Sequence, residues 1–215
     1  MIVANWKCNG SKAMINEWTN NFLTNYVEMK KLFIGIAPPS IYIESILDTK
    51  LSKLEEINIG SQDIDISSGA RTGAISSEMI LDFDCKFSII GHSERRQFFN
   101  EKNDEIKQKI LKIANKTLTI LCVGETEEEN KNDQTKDVLK RQIEVIENIE
   151  FNGSLVIAYE PVWAIGTGNT PTPDKINEIH KFIKDVVQSF SDNSAIPMVL
   201  YLSLIHISEP TRRYE

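Results

Sequence analysis

The fold is decided by the segment Leu155-Val156-Ile157-Ala158-Tyr159-Glu160-Pro161, in which five apolar or aromatic residues precede a carboxylate and a proline. An unbroken run of this kind is typical of a strand that is buried on both faces of a sheet. Pro161 has no N–H and fixes the direction in which the chain leaves the strand. Because packing does not explain a carboxylate at the tip of such a strand, Glu160 is our first candidate for a chemical role.

Six further apolar runs predict strands of the same type. They cover residues 2–5, 32–37, 57–61, 87–90, 117–123 and 197–201. Between the runs, apolar residues recur with the period of an α-helix, and the clearest series is Ile176, Ile179, Ile183, Val186, Val187 and Phe190. Thr172 is predicted to cap that helix, with Pro173 at its first position. Strands that alternate with helices indicate an α/β protein with a parallel sheet.

Two architectures fit this alternation, an open doubly wound sheet and a (β/α)8 barrel. The sequence has no Gly-x-Gly-x-x-Gly fingerprint after an early strand and no Walker A loop. We therefore favour the barrel and keep the open sheet as the alternative. Both architectures build their active sites at the carboxyl ends of the strands, so the residues that follow the predicted strands matter most.

Composition and charge exclude several classes of protein. The chain has 215 residues, of which 41% are hydrophobic and 26% charged, as expected for a soluble globular protein. No stretch of about 18 apolar residues occurs, so we expect no membrane span. The net charge of −7 argues against nucleic acid as a partner. Three widely spaced cysteines indicate a reducing, cytoplasmic location, and only three histidines argue against a multi-histidine metal site.

Two more strand ends carry candidate residues. The first strand ends in Asn5-Trp6-Lys7, and the two-residue period places Asn5 and Lys7 on one side. A lysine that points into a crevice at the end of a strand is costly unless it meets an anion. After the fourth strand, Gly91 permits a sharp turn and Ser93 is predicted to cap the next helix. His92 then lies at the positive end of that helix, which favours a neutral imidazole.

The loop after Glu160 is apolar at first and then rich in glycine, and it reads Val162-Trp163-Ala164-Ile165-Gly166-Thr167-Gly168. A loop of this composition is suited to folding over a ligand and excluding water. Its glycines offer a hinge and exposed amide donors for a phosphate.

These motifs together resemble the triosephosphate isomerase family. The resemblance is carried by Asn5-Trp6-Lys7, by residues 90–96, by Cys122-Val123-Gly124-Glu125 and by residues 158–168, in the family's order. It implies a (β/α)8 barrel that interconverts dihydroxyacetone phosphate and D-glyceraldehyde 3-phosphate in glycolysis and gluconeogenesis. It also implies that no metal or organic cofactor is needed.

The resemblance also implies a role for each site residue. Glu160 is the base that moves a proton between adjacent carbons, and His92 is the neutral electrophile. Lys7, with Asn5 beside it, supplies positive charge to the substrate. The implied supporting residues are Ser93, Glu94, Cys122 and Glu125, with Cys122 packed rather than nucleophilic. The implied lid consists of Pro161, Val162, Trp163, Ala164, Ile165, Gly166, Thr167 and Gly168, of which Gly166 also binds substrate.

The segment from Gln62 to Ser76, which contains Gly69-Ala70-Arg71-Thr72-Gly73, resembles the family's long third loop. In the family this loop reaches into a partner subunit. The resemblance therefore implies a homodimer in which Thr72 and Gly73 lie near the other subunit's active site. Ala74 stands where the family usually has an acidic residue.

The resemblance ends at about Tyr201. The family continues with a phosphate-binding loop and an eighth strand, which residues 202–215 do not match, and residues 202–212 resemble a translated sequencing adapter. We expect a single, incomplete barrel domain of about seven strands over residues 1–201, and a non-native tail over residues 202–215. Two alternatives to an isomerase stay open. They are another phosphate-binding barrel enzyme and a catalytically inactive fragment that retains only the dimerisation loop.

Overall fold

The sheet is parallel throughout and follows the order of the chain. The computed structural model describes residues 1–28, 31–151, 155–164, 171–190 and 197–202. The strands are β1 (Ile2–Asn5), β2 (Ile34–Ala37), β3 (Ile57–Ser61), β4 (Phe87–Ile90), β5 (Leu118–Val123), β6 (Leu155–Tyr159) and β7 (Met198–Tyr201). Each strand pairs with the next one in the order β1 to β7. A doubly wound sheet would reverse its strand order at a switch point. The seven strands therefore form part of a (β/α)8 barrel, as predicted.

All seven predicted strands are confirmed, with changes of one or two residues at three starts. The register aligns Val123 of β5 with Tyr159 of β6, and Tyr159 with Tyr201 of β7. The carboxyl ends of these three strands therefore lie level. Glu160, the next residue after β6, is brought beside the residues that follow β5.

Helices connect the strands and pack on one face of the sheet. They are α1 (Lys12–Asn25), α2 (Ile43–Leu47), α3 (Ser77–Asp82), α4 (Ser93–Phe98), α5 (Asn103–Ile113), α6 (Glu127–Lys131), α7 (Thr135–Ile143) and α8 (Pro173–Ser189). The predicted start of α8 is confirmed, because the Thr172 hydroxyl accepts a hydrogen bond from the Lys175 N–H at 3.3 Å. In the part of the chain described, no helix is long and apolar enough to cross a membrane.

The apolar residues form two clusters, one on each face of the sheet. The larger cluster joins strand residues such as Ile157 to helix residues such as Ile110 and Ile183. The smaller cluster lies on what we call the inner face, and its buried members come from strands: Ala37, Phe87, Ile89, Ile120, Cys122, Val156 and Ala158. Because both faces are covered, the strands need apolar residues at every position. The two-residue period of Val156 and Ala158 continues to Glu160, which places that carboxylate on the inner face.

Candidate active site

Lys7 lies just past β1 in an uncommon backbone conformation. Its φ is +51°, which lies in the left-handed region. The Asn5 Oδ1 accepts a hydrogen bond from the Lys7 N–H at 2.9 Å, and the Gln62 Nε2 donates to the Lys7 carbonyl at 2.9 Å. The alternation argument for placing Asn5 and Lys7 together is therefore wrong, since the strand ends before Lys7. Both residues nevertheless line one cavity because Asn5 holds the turn.

That cavity has a volume of about 470 Å³ and is lined by Asn5, Lys7, Gln62, His92 and Glu94, among others. The Lys7 Nζ lies 2.7 Å from the Glu94 Oε1, and the two side chains are 24% and 38% exposed. An ion pair this accessible to water stabilises the fold by only about 0–1 kcal/mol. The ammonium group can therefore exchange Glu94 for an anionic ligand at little cost in free energy.

His92 caps the helix that follows it. Its Nδ1 accepts a hydrogen bond from the Glu94 N–H at 3.2 Å, so His92 is the N-cap of α4. The prediction that Ser93 caps this helix is wrong. The sharp turn at Gly91, with φ of +71°, brings the His92 imidazole, and not the Ser93 hydroxyl, to the Glu94 N–H. An Nδ1 that accepts a backbone N–H carries no proton. The neutral ring therefore bears its proton on Nε2, which points toward Glu160.

We expect nitrogen NMR of the protein near neutral pH to show the His92 ring as the neutral Nε2–H tautomer. The reason is the Glu94 N–H, which occupies the Nδ1 lone pair. His180, whose Nδ1 is not set by an N-cap bond in the described residues, serves as the internal comparison. A His92 signal typical of the doubly protonated ring, or of the Nδ1–H tautomer, would contradict this assignment.

Glu160 is buried beside His92. The Glu160 Oε1 lies 3.6 Å from the His92 Nε2, and the side chains are 4% and 6% exposed. Within the described residues the Glu160 Oε2 is buried without a hydrogen-bond partner. A buried carboxylate with so few partners is costly for folding, which argues for a functional reason to keep it. Its backbone is fixed, because the Glu160 N–H donates to the Val123 carbonyl at 2.8 Å.

Glu160 also lines a second cavity of about 750 Å³, together with Ser93 and Cys122. His92 lines the first cavity and Ser93 the second, so the start of α4 lies between them. The Ser93 Oγ is buried and has no hydrogen-bond partner among the described residues. The predicted residues therefore converge, with His92 connecting Glu160 on one side to Glu94 and Lys7 on the other.

Glu125 connects β5 to the loop after Glu160. It is fully buried, and its Oε1 accepts hydrogen bonds from the Trp163 Nε1 at 2.8 Å and the Tyr159 hydroxyl at 3.2 Å. The Glu125 carbonyl accepts from the Val162 N–H at 3.1 Å. Burial, and then the nearby Glu125 carboxylate, raise the pKa of Tyr159, so its hydroxyl keeps the proton it donates. Glu125 thus fixes the first residues of the predicted lid.

The predicted lid is described only at its start. Pro161 and the short 3-10 turn Val162–Ala164 lie within the described residues. Ile165, Gly166, Thr167 and Gly168 lie outside the described residues, as does the chain from Ser203 onward.

Cys122 is a packed residue. It is 2% exposed and belongs to the inner-face cluster. Burial and the nearby Glu160 raise the pKa of its thiol, so it stays protonated and is a poor nucleophile.

The third loop begins at a charged network that the sequence did not predict. The Lys109 Nζ lies 2.8 Å from the Asp63 Oδ1 and also bonds Glu101, while the Arg95 Nε lies 2.9 Å from the Asp63 Oδ2. Burial is the main cause that raises the pKa of Asp63 to about 6. Arg95 belongs to the same motif as His92, but nothing in the sequence placed it against residues about 30 positions earlier. The network ties the start of the third loop to α4 and α5.

Thr72 and Gly73, at the tip of the third loop, are exposed. The loop is closed at its base by the Asp65 N–H, which donates to the Ile75 carbonyl at 2.7 Å. The Arg71 Nε lies 2.5 Å from the Asp65 Oδ1, and Gly73, with φ of +85°, reaches the edge of the Lys7 cavity.

Comparison with known proteins supplies the family. A family model described as triosephosphate isomerase matches residues 1–201. The chain is 41% identical over 191 residues to the triosephosphate isomerase of Klebsiella pneumoniae, covering 86% of this chain and 74% of the relative. The chain belongs to the triosephosphate isomerase family. The same identity and coverage hold for the triosephosphate isomerases of Salmonella newport and Salmonella heidelberg. The matched residues include Asn5, Lys7, His92 and Glu160, which the structure brings together.

Proposed function

We propose that this protein interconverts dihydroxyacetone phosphate and D-glyceraldehyde 3-phosphate, with Glu160 as the base. The observation that carries the proposal is the buried pair of His92 Nε2 and Glu160 Oε1, 3.6 Å apart at the carboxyl edge of the sheet. A carboxylate and a neutral hydrogen-bond donor side by side suit the movement of a proton next to a carbonyl group. Family membership supports the same reaction.

The proposed reaction moves one proton between adjacent carbons and one between the oxygens on those carbons, and it needs no external electrons. The Glu160 carboxylate removes a proton from the carbon next to the substrate carbonyl, which leaves an enediolate. The same carboxyl group returns a proton to the neighbouring carbon. The hydroxyl proton passes to the former carbonyl oxygen by way of the His92 Nε2, and the carbonyl and hydroxyl groups have then exchanged places. Glu160 ends the cycle ionised, as it began.

His92 and Lys7 stabilise the charge that develops on oxygen. The His92 Nε2–H donates to the substrate oxygens, and its tautomer is held by the Glu94 N–H at Nδ1. The Lys7 ammonium supplies positive charge to the anionic substrate and the enediolate. Such groups act strongly because they are held in place before the reaction begins. Asn5 contributes by holding the turn at Lys7.

We further propose that Pro161 to Gly168 close over the substrate and that Gly166 contacts its phosphate. The bonds from Trp163 and Val162 to Glu125 support this proposal, because they fix one end of the segment beside Glu160. Closure would exclude water from the enediolate.

Turnover by the purified protein tests the proposed function. The assay follows D-glyceraldehyde 3-phosphate by phosphorus NMR, with the Glu160→Gln variant as the control. Conversion well above that control supports the isomerase. Equal conversion in both samples would favour the alternative, a catalytically inactive barrel fragment.

We propose that the chain up to about Tyr201 forms one incomplete barrel domain and works in the cytoplasm in glycolysis. One continuous sheet and a shared core over β1 to β7 support a single domain. Leu202 still contacts this domain, since its N–H donates to the Tyr159 carbonyl at 2.8 Å.

We expect the protein to sediment as a homodimer, held in part by the third loop. The exposed Thr72 and Gly73 and the exposed rings of Phe98 and Phe99 support a partner at this face. Replacing Thr72 with arginine is expected to shift the protein toward the monomer in sedimentation velocity, whereas Lys181→Glu on the outer surface of α8 should not. A monomer at every accessible concentration in the unmodified protein would contradict the proposal.

A further inference from the structure

We propose that Gln142, on α7, is a positioning residue for the base, because it holds Gly124 against the backbone of Glu160. The inference rests on the proposed role of Glu160. Gln142 does not contact the reacting carboxylate and would act through two backbone segments.

Gln142 makes a reciprocal pair of hydrogen bonds with Gly124. The Gln142 Oε1 accepts from the Gly124 N–H at 2.8 Å, and the Gln142 Nε2 donates to the Gly124 carbonyl at 3.0 Å. The side chain is nearly buried, at 9% exposure. The pairing of β4 with β5 ends at Ile90 and Leu121, so no β4 partner reaches Gly124 in the described chain. The carboxamide therefore supplies the two bonds that a neighbouring strand would have made.

Gly124 in turn sets the position of Glu160. A Cβ atom built on Gly124 would lie 1.7 Å from the Glu160 carbonyl oxygen, a distance that only glycine avoids. Two hydrogen bonds join the backbone segment around Gly124 to the segment around Glu160. The Glu160 N–H donates to the Val123 carbonyl at 2.8 Å, and the Val162 N–H donates to the Glu125 carbonyl at 3.1 Å. Any shift of Gly124 is therefore passed to the base and to the start of the lid.

The carboxylate depends on this backbone because little else holds it. Among the described residues its Oε2 has no hydrogen-bond partner, and its Oε1 is 3.6 Å from His92, beyond a normal hydrogen bond. The position of the carboxylate is therefore set by the position of the Glu160 Cα. A displacement of about 1 Å at a reacting group can cost on the order of a hundredfold in rate.

Replacing Gln142 with glutamate places the two hydrogen bonds to Gly124 under the control of pH, because only the protonated side chain can make both. The neutral acid has the shape of the amide, and it accepts from the Gly124 N–H and donates to the Gly124 carbonyl. The ionised form has no proton to donate and turns a charged oxygen toward that carbonyl. Burial raises the pKa of such a carboxyl group toward the accessible range. The charged groups that line the same cavity are Arg96, Glu101, Lys102, Asp104, Glu129, Arg141 and Glu160.

The experiment measures kcat and KM of the unmodified protein, Gln142→Glu and Gln142→Leu from about pH 5 to about pH 8. We expect Gln142→Leu to lower kcat by about tenfold to a hundredfold at every pH, with KM changed by less than about threefold. The kcat of Gln142→Glu, divided by that of the unmodified protein at the same pH, should rise toward one as the pH falls. The exposed Gln108→Glu on α5 is the matched control and should show a ratio near one throughout.

The outcomes separate this inference from the proposed function. Equal kcat values for Gln142→Glu and the unmodified protein at every pH, with Glu160→Gln inactive, would overturn the role of Gln142 alone. A fully active Glu160→Gln would instead overturn the proposed function. A purely stabilising Gln142 would lower the unfolding temperature of Gln142→Glu with no pH-dependent recovery of kcat, which would also contradict positioning. If Gln142→Leu does not fold, the pH series of Gln142→Glu decides alone.

Discussion

Replacing Glu160 with aspartate is expected to lower kcat about a hundredfold, because one methylene fewer withdraws the carboxylate by roughly 1 Å from the substrate carbon. Replacing it with glutamine keeps the size of the side chain and removes the base, and general-base catalysis of this kind contributes about a hundredfold to ten-thousandfold. KM should change little in either variant, since Glu160 binds no phosphate in the proposed complex. Steady-state kinetics with D-glyceraldehyde 3-phosphate measures both values.

The exposed Glu147→Gln, outside the site, is the control for a general effect of charge. Glu160→Gln should also fold at least as well as the unmodified protein, because it removes a buried carboxylate with few hydrogen-bond partners. A Glu160→Gln variant with unchanged kcat would remove Glu160 from the role of base. A variant that lost activity and also lost its structure by circular dichroism would leave Glu160→Asp to decide.

Replacing Lys7 with methionine is expected to lower kcat/KM about a hundredfold to a thousandfold, the cost of removing one preorganised charge from a developing oxyanion. Lysine and methionine are both unbranched at Cβ, so the left-handed φ of +51° at this position should cost about the same for each. The loss should appear in KM as well as kcat, because the ammonium group attracts the anionic substrate before and during the reaction. Steady-state kinetics at low ionic strength gives the largest difference.

Glu94 provides the control for this prediction. Lys7→Met leaves the Glu94 carboxylate without the ammonium group that lies 2.7 Å away. The double variant Lys7→Met with Glu94→Gln removes that unpaired charge. If the double variant recovers the activity of Glu94→Gln alone, Lys7 only neutralises Glu94 and does not act on substrate. We expect instead that the double variant remains as impaired as Lys7→Met.

The fold was predictable because each strand is a local signal. Residues 155–159 form β6 as expected, and Glu160 follows on the inner face because the side-chain period of two continues past the strand end. The strand order required more than alternation, since a doubly wound sheet is built from similar units. The absence of a dinucleotide fingerprint and a Walker A loop favoured the barrel, and the family resemblance implied it. In the structure, the register of β5, β6 and β7 brings the ends of these strands level.

The site was predictable as a set of residues and less so in its local geometry. Asn5 and Lys7 line one cavity, yet a hydrogen bond from a backbone amide, not strand alternation, places them there. His92 displaces Ser93 as the cap of α4, because the turn at Gly91 decides which side chain reaches the amide. The periodic pattern of apolar residues does not predict such turns.

Long-range partners left no local signal at all. Gln142 lies 18 positions after Gly124, and nothing in the helical pattern of α7 distinguishes it from a glutamine that faces solvent. Lys109 reads as an exposed helical lysine, yet it is buried against Asp63, 46 positions earlier. These contacts depend on how α5 and α7 pack against the sheet, which only the tertiary structure supplies.

Hydrogen exchange during turnover in D2O tests most directly the central claim that Glu160 moves the proton. Starting from dihydroxyacetone phosphate, the proton taken by the carboxylate can exchange with solvent before one is returned to the adjacent carbon. We predict that the D-glyceraldehyde 3-phosphate formed by the unmodified protein carries deuterium at carbon 2, as read by proton NMR, and that Glu160→Gln forms no deuterated product above the uncatalysed background. Deuterium incorporation by Glu160→Gln at the rate of the unmodified protein would contradict the account.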